Sequence, residues 1–227
     1  MEFKKSISLI VFWGAAWGTI EATLGTLLHA ADFNMGWLLW FPIAFYFMNK
    51  VYKLTGKCES IILISIIAAS IKLIDLALPI RIDKVVNPSA SILLEGLVVF
   101  ITFKIMNKYS NLFKFKILEF TVICLSWRIL YAVYVLFLPS WMVAISPIRG
   151  FAPFFRFLLL EGIANIMFIL IITILSERIN TFYRDRESYL KRLFLKIKFI
   201  GYIQKIYHLQ ITPVGLLIVA IFVQWAL

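Results

Sequence analysis

Long apolar stretches broken by short polar ones set the pattern of this chain. The first runs from about Ile7 to Ala31, and five more follow at Met35–Tyr52, Ser60–Ile80, Ser89–Met106, Ile117–Leu138 and Phe151–Ser176. A helix rising ~1.5 Å per residue needs ~20 apolar residues to cross a bilayer, and each run meets or approaches that length. The pattern predicts an all-α polytopic membrane bundle of six transmembrane helices over residues 1–176. Between the runs lie a hairpin at His29–Asn34, a basic loop at Lys53–Glu59, and a loop carrying Arg81, Asp83, Lys84 and Pro88. Two more segments follow the sixth run. Residues 177–210 place apolar Phe182, Tyr189, Leu193, Ile197 and Ile200 among Arg184, Arg186, Lys191, Arg192, Lys196 and Lys198. That spacing predicts a basic amphipathic helix, with residues 178–209 lying against anionic lipid headgroups on the cytoplasmic side. Residues 211–227 are a last apolar run near the lower length limit for a seventh span.

Composition agrees with this pattern. Of 227 residues 62% are hydrophobic and 15% charged, with a mean hydropathy of +0.92. Soluble domains carry about 25% charged residues, so an integral membrane protein is expected. No cleavable signal peptide is expected, because the first run is too long and the chain stays apolar after it. A formal charge of +11 would point to nucleic acid in a soluble protein. Here the bases fall between the apolar runs, and they fall unevenly. Lys4, Lys5, Lys50, Lys53, Lys57, Lys104, Lys108, Lys114, Lys116 and the cluster after the sixth run share one set of flanks; Arg81, Lys84 and Arg149 hold the other. The positive-inside rule then puts the N-terminus in the cytoplasm and the protein in the cytoplasmic membrane. Nucleic acid is not an expected partner. Cys58 and Cys124 form no Cys-x-x-Cys motif and are expected as free thiols.

On the first run, Gly14, Gly18, Glu21 and Gly25 share a helix face by i, i+4, i+7, i+11 spacing. Small residues there admit a close neighbour, and Glu21 on that face must meet protein or a water-filled cavity rather than lipid. This helix is expected to be the one the others surround. Further ionisable groups lie inside the runs: Lys72, Asp75, Glu95, Arg128, Arg156 and Glu161, with Asn165 one turn beyond Glu161. Counted along the helices, the charged ones fall roughly 5–16 Å below the outer surface. Such groups are rare in lipid and point to a site. Four acids and three bases nearly balance. Lys72 and Asp75, three residues apart, also suit a simple pair on one helix, as do the i, i+4 pairs Ser91 with Glu95 and Glu161 with Asn165, and Arg156 suits snorkelling to the interface. Arg128 lies deeper, with Cys124 and Tyr131 on its face. Its always-charged, five-donor head makes it the expected holder of a ligand anion, with Glu21, Glu95 and Glu161 balancing it. No metal-ligand spacing, Walker A sequence, nucleophile elbow or His-Glu-x-x-His occurs, so no catalytic residue, metal or cofactor is assigned.

Six helices in about 180 residues, both ends cytoplasmic, a small-residue stripe on the first helix and a polar pocket in the outer half resemble the substrate-binding S components of energy-coupling-factor transporters. The resemblance covers Met1 to about Ser176. It implies capture of a vitamin-like nutrient or ion from outside, and import with a transmembrane coupling subunit and a pair of ATPases. Members often meet the coupling subunit through Ala-x-x-x-Ala on the first helix. The nearest match here is Gly14-Ala15-Ala16-Trp17-Gly18-Thr19, with Gly14/Gly18 or Ala15/Thr19 as the small pair. Two other classes fit the same charges: an intramembrane enzyme using Glu21, Glu95, Glu161 and His29 on a lipid-linked substrate, and an assembly subunit using them as interhelical glue.

Overall fold

Each of the six apolar runs folds as a helix, because a chain in lipid must satisfy its backbone hydrogen bonds within the segment. The computed structural model of the chain describes residues 2–30, 37–77, 81–109, 116–143, 150–175 and 178. Among these there is no strand, and the helices are α1 Glu2–Ala30, α2 Trp37–Thr55, α3 Glu59–Leu73, α4 Asp83–Lys108, α5 Lys116–Leu136 and α6 Phe151–Leu175. The expected basic amphipathic segment, apart from Arg178, and the expected seventh span lie outside the described residues. So does the side chain of His29.

Four helices, α3 (with the turn that continues it) to α6, are long and apolar enough to cross a membrane, and α1 and α2 pack beside α3 in the same bundle. The outward faces carry large apolar side chains at helical spacing. On α4 these are Leu93, Leu97, Ile101 and Ile105, and on α6 Leu160, Ile163, Met167, Ile171 and Ile174. Continuous apolar stripes of that length are not tolerated in water. The chain is an all-α, membrane-embedded bundle.

Two boundaries differ from the sequence expectation. The segment with Asp83, Lys84 and Pro88 is not a loop: α4 begins at Asp83 and contains Pro88. Proline disrupts a helix by clashing with the carbonyl four residues back, here Lys84 in the first turn, where the ladder is incomplete anyway. Ser89 Oγ donates to Val85 O at 2.8 Å in the same stretch, and Arg81 grips Asp83 with two bonds of 3.1 Å. At the end of α3 the α-helix gives way at Leu73 to a 3-10 turn, Ile74–Ala77. Gly56, at φ 67°, closes α2 by donating its N–H to Tyr52 O at 2.8 Å. Few residues other than glycine enter that left-handed conformation at low cost.

The expectation that α1 is the centre is corrected. The centre is α3, which packs against α1, α2 and α4. Its buried Ile61, Ile64, Ser65, Ala68 and Ile71 follow i, i+3, i+4, i+7, i+10 spacing and supply the small residues that two neighbours need. Gly14 and Gly18 of α1 sit directly on Ile67 and Ile71: a Cβ built on either would lie 2.9 Å and 2.7 Å from those side chains. On the other flank, a Cβ on Gly96 of α4 would lie 2.6 Å from Ser65 Cβ. The stripe on α1 therefore works as a seam inside the chain. Gly14, Ala15 and Gly18 are buried there, so the face expected to dock a coupling subunit is already covered by α3, and Thr19 turns its hydroxyl back to Ala15 O at 2.7 Å.

Candidate functional site

The intramembrane polar residues gather into two linked groups. The first is built on Arg128 of α5, wholly buried. Its Nη1 donates to Phe157 O at 2.6 Å and to Glu161 Oε2 at 3.3 Å, and its Nη2 donates to Asn165 Oδ1. Asn165 in turn donates to Leu38 O of α2 at 3.2 Å. Trp127 and Phe157 lie on the guanidinium, with centroids 4.9 Å and 4.6 Å from its carbon.

The local backbone makes this arrangement accessible. Residues Arg156–Leu160 form a π turn, in which the N–H of Glu161 bonds to Arg156 O rather than to Phe157 O. Phe157 O is thereby released to accept from Arg128. Single π turns of this kind gather at functional positions. Gly162, one step on, leaves room for the stem: its Cβ would stand 3.7 Å from Arg128 Cδ.

The expectation that Arg128 holds a ligand anion meets this finding: both terminal nitrogens are engaged by groups of α6, two side chains and one main-chain carbonyl, while Nε has no hydrogen-bond partner among the described residues. Glu161 and Asn165, read from the sequence as an i, i+4 pair, converge on Arg128 instead. Arg156 is exposed and does not enter either group.

The second group lies among α1, α3 and α4. Lys72 Nζ meets Asp75 Oδ2 at 2.7 Å. Asp75 stands in the 3-10 turn, where residues three apart eclipse each other, so this pair forms as its spacing predicts. Ser91 Oγ donates to Glu95 Oε1 at 2.9 Å, again as the spacing predicts. Glu21 is within electrostatic reach of both Lys72 and Glu95. Arg128 is within electrostatic reach of Glu95, and Glu95 of Cys124 and Tyr131, which links the two groups.

Charge bookkeeping separates the carboxyls. Asp75 has Lys72 and Glu161 has Arg128 in salt-bridge contact. Among the described residues Glu21 and Glu95 have no cation at that distance. Glu95 is buried and Glu21 half-buried. The indole N–H of Trp17, wholly buried one turn before Glu21, is directed at the Glu21 carboxyl without reaching hydrogen-bond geometry. Sequence reasoning gave Trp17 no role; its position four residues before Glu21, on the same face, was the available signal.

Two further polar features lie away from the groups. Asn87 donates to Met142 O at 3.0 Å and accepts from Tyr134 at 3.2 Å, fixing the start of α4 to α5 and the turn beyond it. Cys58, outside the spans, is buried against Asn107. Burial, then the neighbouring Glu59, push its thiol pKa up, which is the opposite of an activated nucleophile. Among the described residues no group of three or more His, Cys, Asp or Glu is placed to hold a metal ion. Comparisons with protein-family models, curated proteins and solved structures return no match.

Proposed function

We propose that the chain is the membrane-embedded binding subunit of a small-molecule importer, with its ligand site at Glu21 and Glu95. One observation carries the reading. Glu21 and Glu95, on different helices, are the two carboxyls inside the bundle that have no cation in salt-bridge contact among the described residues, an arrangement that costs stability and that a bound ligand would offset. The plan resembles that of energy-coupling-factor S components, with the N-terminus cytoplasmic and the ligand arriving from outside. Nothing in the sequence hydrolyses ATP, so import would draw on a coupling subunit and ATPases. Since α3 covers Gly14, Ala15 and Gly18, such a partner would meet another face of the bundle.

A purified sample, incubated with a metabolite extract and then washed, tests this. Mass spectrometry is expected to find a small molecule retained by the wild type and lost from Glu95→Gln. Retention of nothing, or equal retention by both, contradicts the reading.

The salt bridges Lys72–Asp75 and Arg128–Glu161 favour a second reading, in which the chain is an assembly subunit and its charges are glue between helices. That reading explains four of the charges and leaves Glu21 and Glu95 without a role.

A further inference from the structure

We propose that the outer segment of α6, residues 151–156, is a two-state element: Arg128 holds it in its present register, and release of Arg128 turns it about its own axis. The device stands whether or not the chain binds a ligand at Glu21 and Glu95.

Two helices are interrupted at one network. Pro42 lies inside α2 and has no N–H, so Leu38 O, four residues back, has lost its partner within the helix. Asn165 of α6 donates to it instead, at 3.2 Å. In α6 the π turn over Arg156–Leu160 frees Phe157 O, and Arg128 donates to that carbonyl at 2.6 Å. Arg128 also donates to Asn165. Both freed carbonyls are therefore met by side chains that are bonded to each other. In lipid an interrupted helix is tolerated where such neighbours satisfy the backbone groups it releases, and helices bend at prolines and π turns.

The bonding allows a second register. A single π turn holds one residue more than the α-helix on either side of it. Closing it gives Phe157 O the N–H of Glu161, which in this structure bonds to Arg156 O. The carbonyl has a donor in either register, so the exchange leaves it satisfied. With every residue still present, closure turns the helix before it by about 100° and moves it ~1.5 Å along the axis, the step of one residue. Arg128 opposes this through Phe157 O. Its own bonding is incomplete, because its buried Nε has no partner among the described residues, and buried donors are almost always satisfied. The segment before the turn has room to move. Residues 151, 152, 153, 155 and 156 are exposed and Phe154 is half-buried. Gly150, which precedes them, stands at φ 99°, where glycine moves freely. Any acceptor that draws Arg128 away from Phe157 O thus changes the outer end of α6.

The test uses the full chain in lipid nanodiscs, carrying Cys58→Ser and Cys124→Ala, with distances between paired spin labels read by double electron–electron resonance. One pair, at Lys84 and Ala152, spans the outer ends of α4 and α6. The other, at Ile105 and Ile171, spans the inner parts of the same helices, and all four positions are exposed. Arg128→Met/Glu161→Leu removes the donor without leaving a buried charge unpaired. It is expected to shift the outer pair by several ångströms and to leave the inner pair at its wild-type distance. Deleting Leu159 in that double variant takes the extra residue out of the turn and should return the outer pair to the wild-type distance. The wild type gives a readout of its own: hydrogen–deuterium exchange should be faster over residues 151–160 than over 163–175.

An outer pair that keeps the wild-type distance in the folded double variant overturns the proposal. So does a shift of both pairs together, which marks general loosening, or a shift that deletion of Leu159 does not reverse. Equal exchange over the two segments of the wild type overturns it even if no variant folds.

Discussion

Arg128→Ala is expected to cost about 3–5 kcal/mol of stability, the scale for removing one partner of a buried ion pair. The variant strips Glu161 of its cation and Phe157 O and Asn165 Oδ1 of the donor they share, all inside the bundle. Arg128→Lys should recover little, since a single ammonium cannot reach three acceptors from a planar fork. Pairing Arg128→Met with Glu161→Leu should recover more than Arg128→Met alone, because an apolar pair leaves no buried charge unpaired. Unfolding of these variants and of Glu161→Leu alone in one detergent, with Arg128→Met and Glu161→Leu read as a double-mutant cycle, checks this. Equal stability of Arg128→Ala and wild type would show that the network contributes nothing.

Gly96→Ala is expected to destabilise the α3–α4 contact by about 1–3 kcal/mol, the range for overpacking. The added Cβ would meet Ser65 Oγ as well as Ser65 Cβ, the latter at 2.6 Å. A Cβ is fixed to the backbone and cannot rotate away, so the helices must separate. Ser65→Gly in the same chain removes the opposing atoms and should restore most of the loss, whereas Ser65→Ala, which keeps its Cβ, should restore little. Thermal unfolding of the single and double variants decides; loss of stability with no rescue by Ser65→Gly would place the clash elsewhere.

The helices were legible because lipid and core both demand apolar residues, so every run stands out by length alone. Their hierarchy was harder to read. Gly14 and Gly18 drew attention to α1, yet a glycine marks the side that yields space, and the helix that occupies it here is α3. Its own signal was the run Ser65, Ala68, Ala69, small residues on buried positions of the same helix. Pro88 read as a loop because a proline inside a helix normally breaks it; as the sixth residue of α4 it disturbs only the incomplete first turn. At the site, local pairs were readable from spacing, as Lys72–Asp75 and Ser91–Glu95 show. The partners of Arg128 were not, since one is a main-chain carbonyl released by a π turn and the others come from a helix far along the sequence. Only with those partners placed do Glu21 and Glu95 stand out as the carboxyls without a cation in salt-bridge contact among the described residues.

That these two carboxyls serve a ligand is the central claim, and the melting temperature of ligand-free Glu21→Gln/Glu95→Gln tests it most directly. Glutamine keeps the shape of both side chains and keeps an acceptor for Ser91 while removing the charge. If the carboxyls serve a ligand, their removal should leave the empty protein as stable as the wild type or more so, as with other residues kept for function at the expense of stability. If they hold the helices together, the double variant should unfold at a clearly lower temperature, and that result would contradict the account.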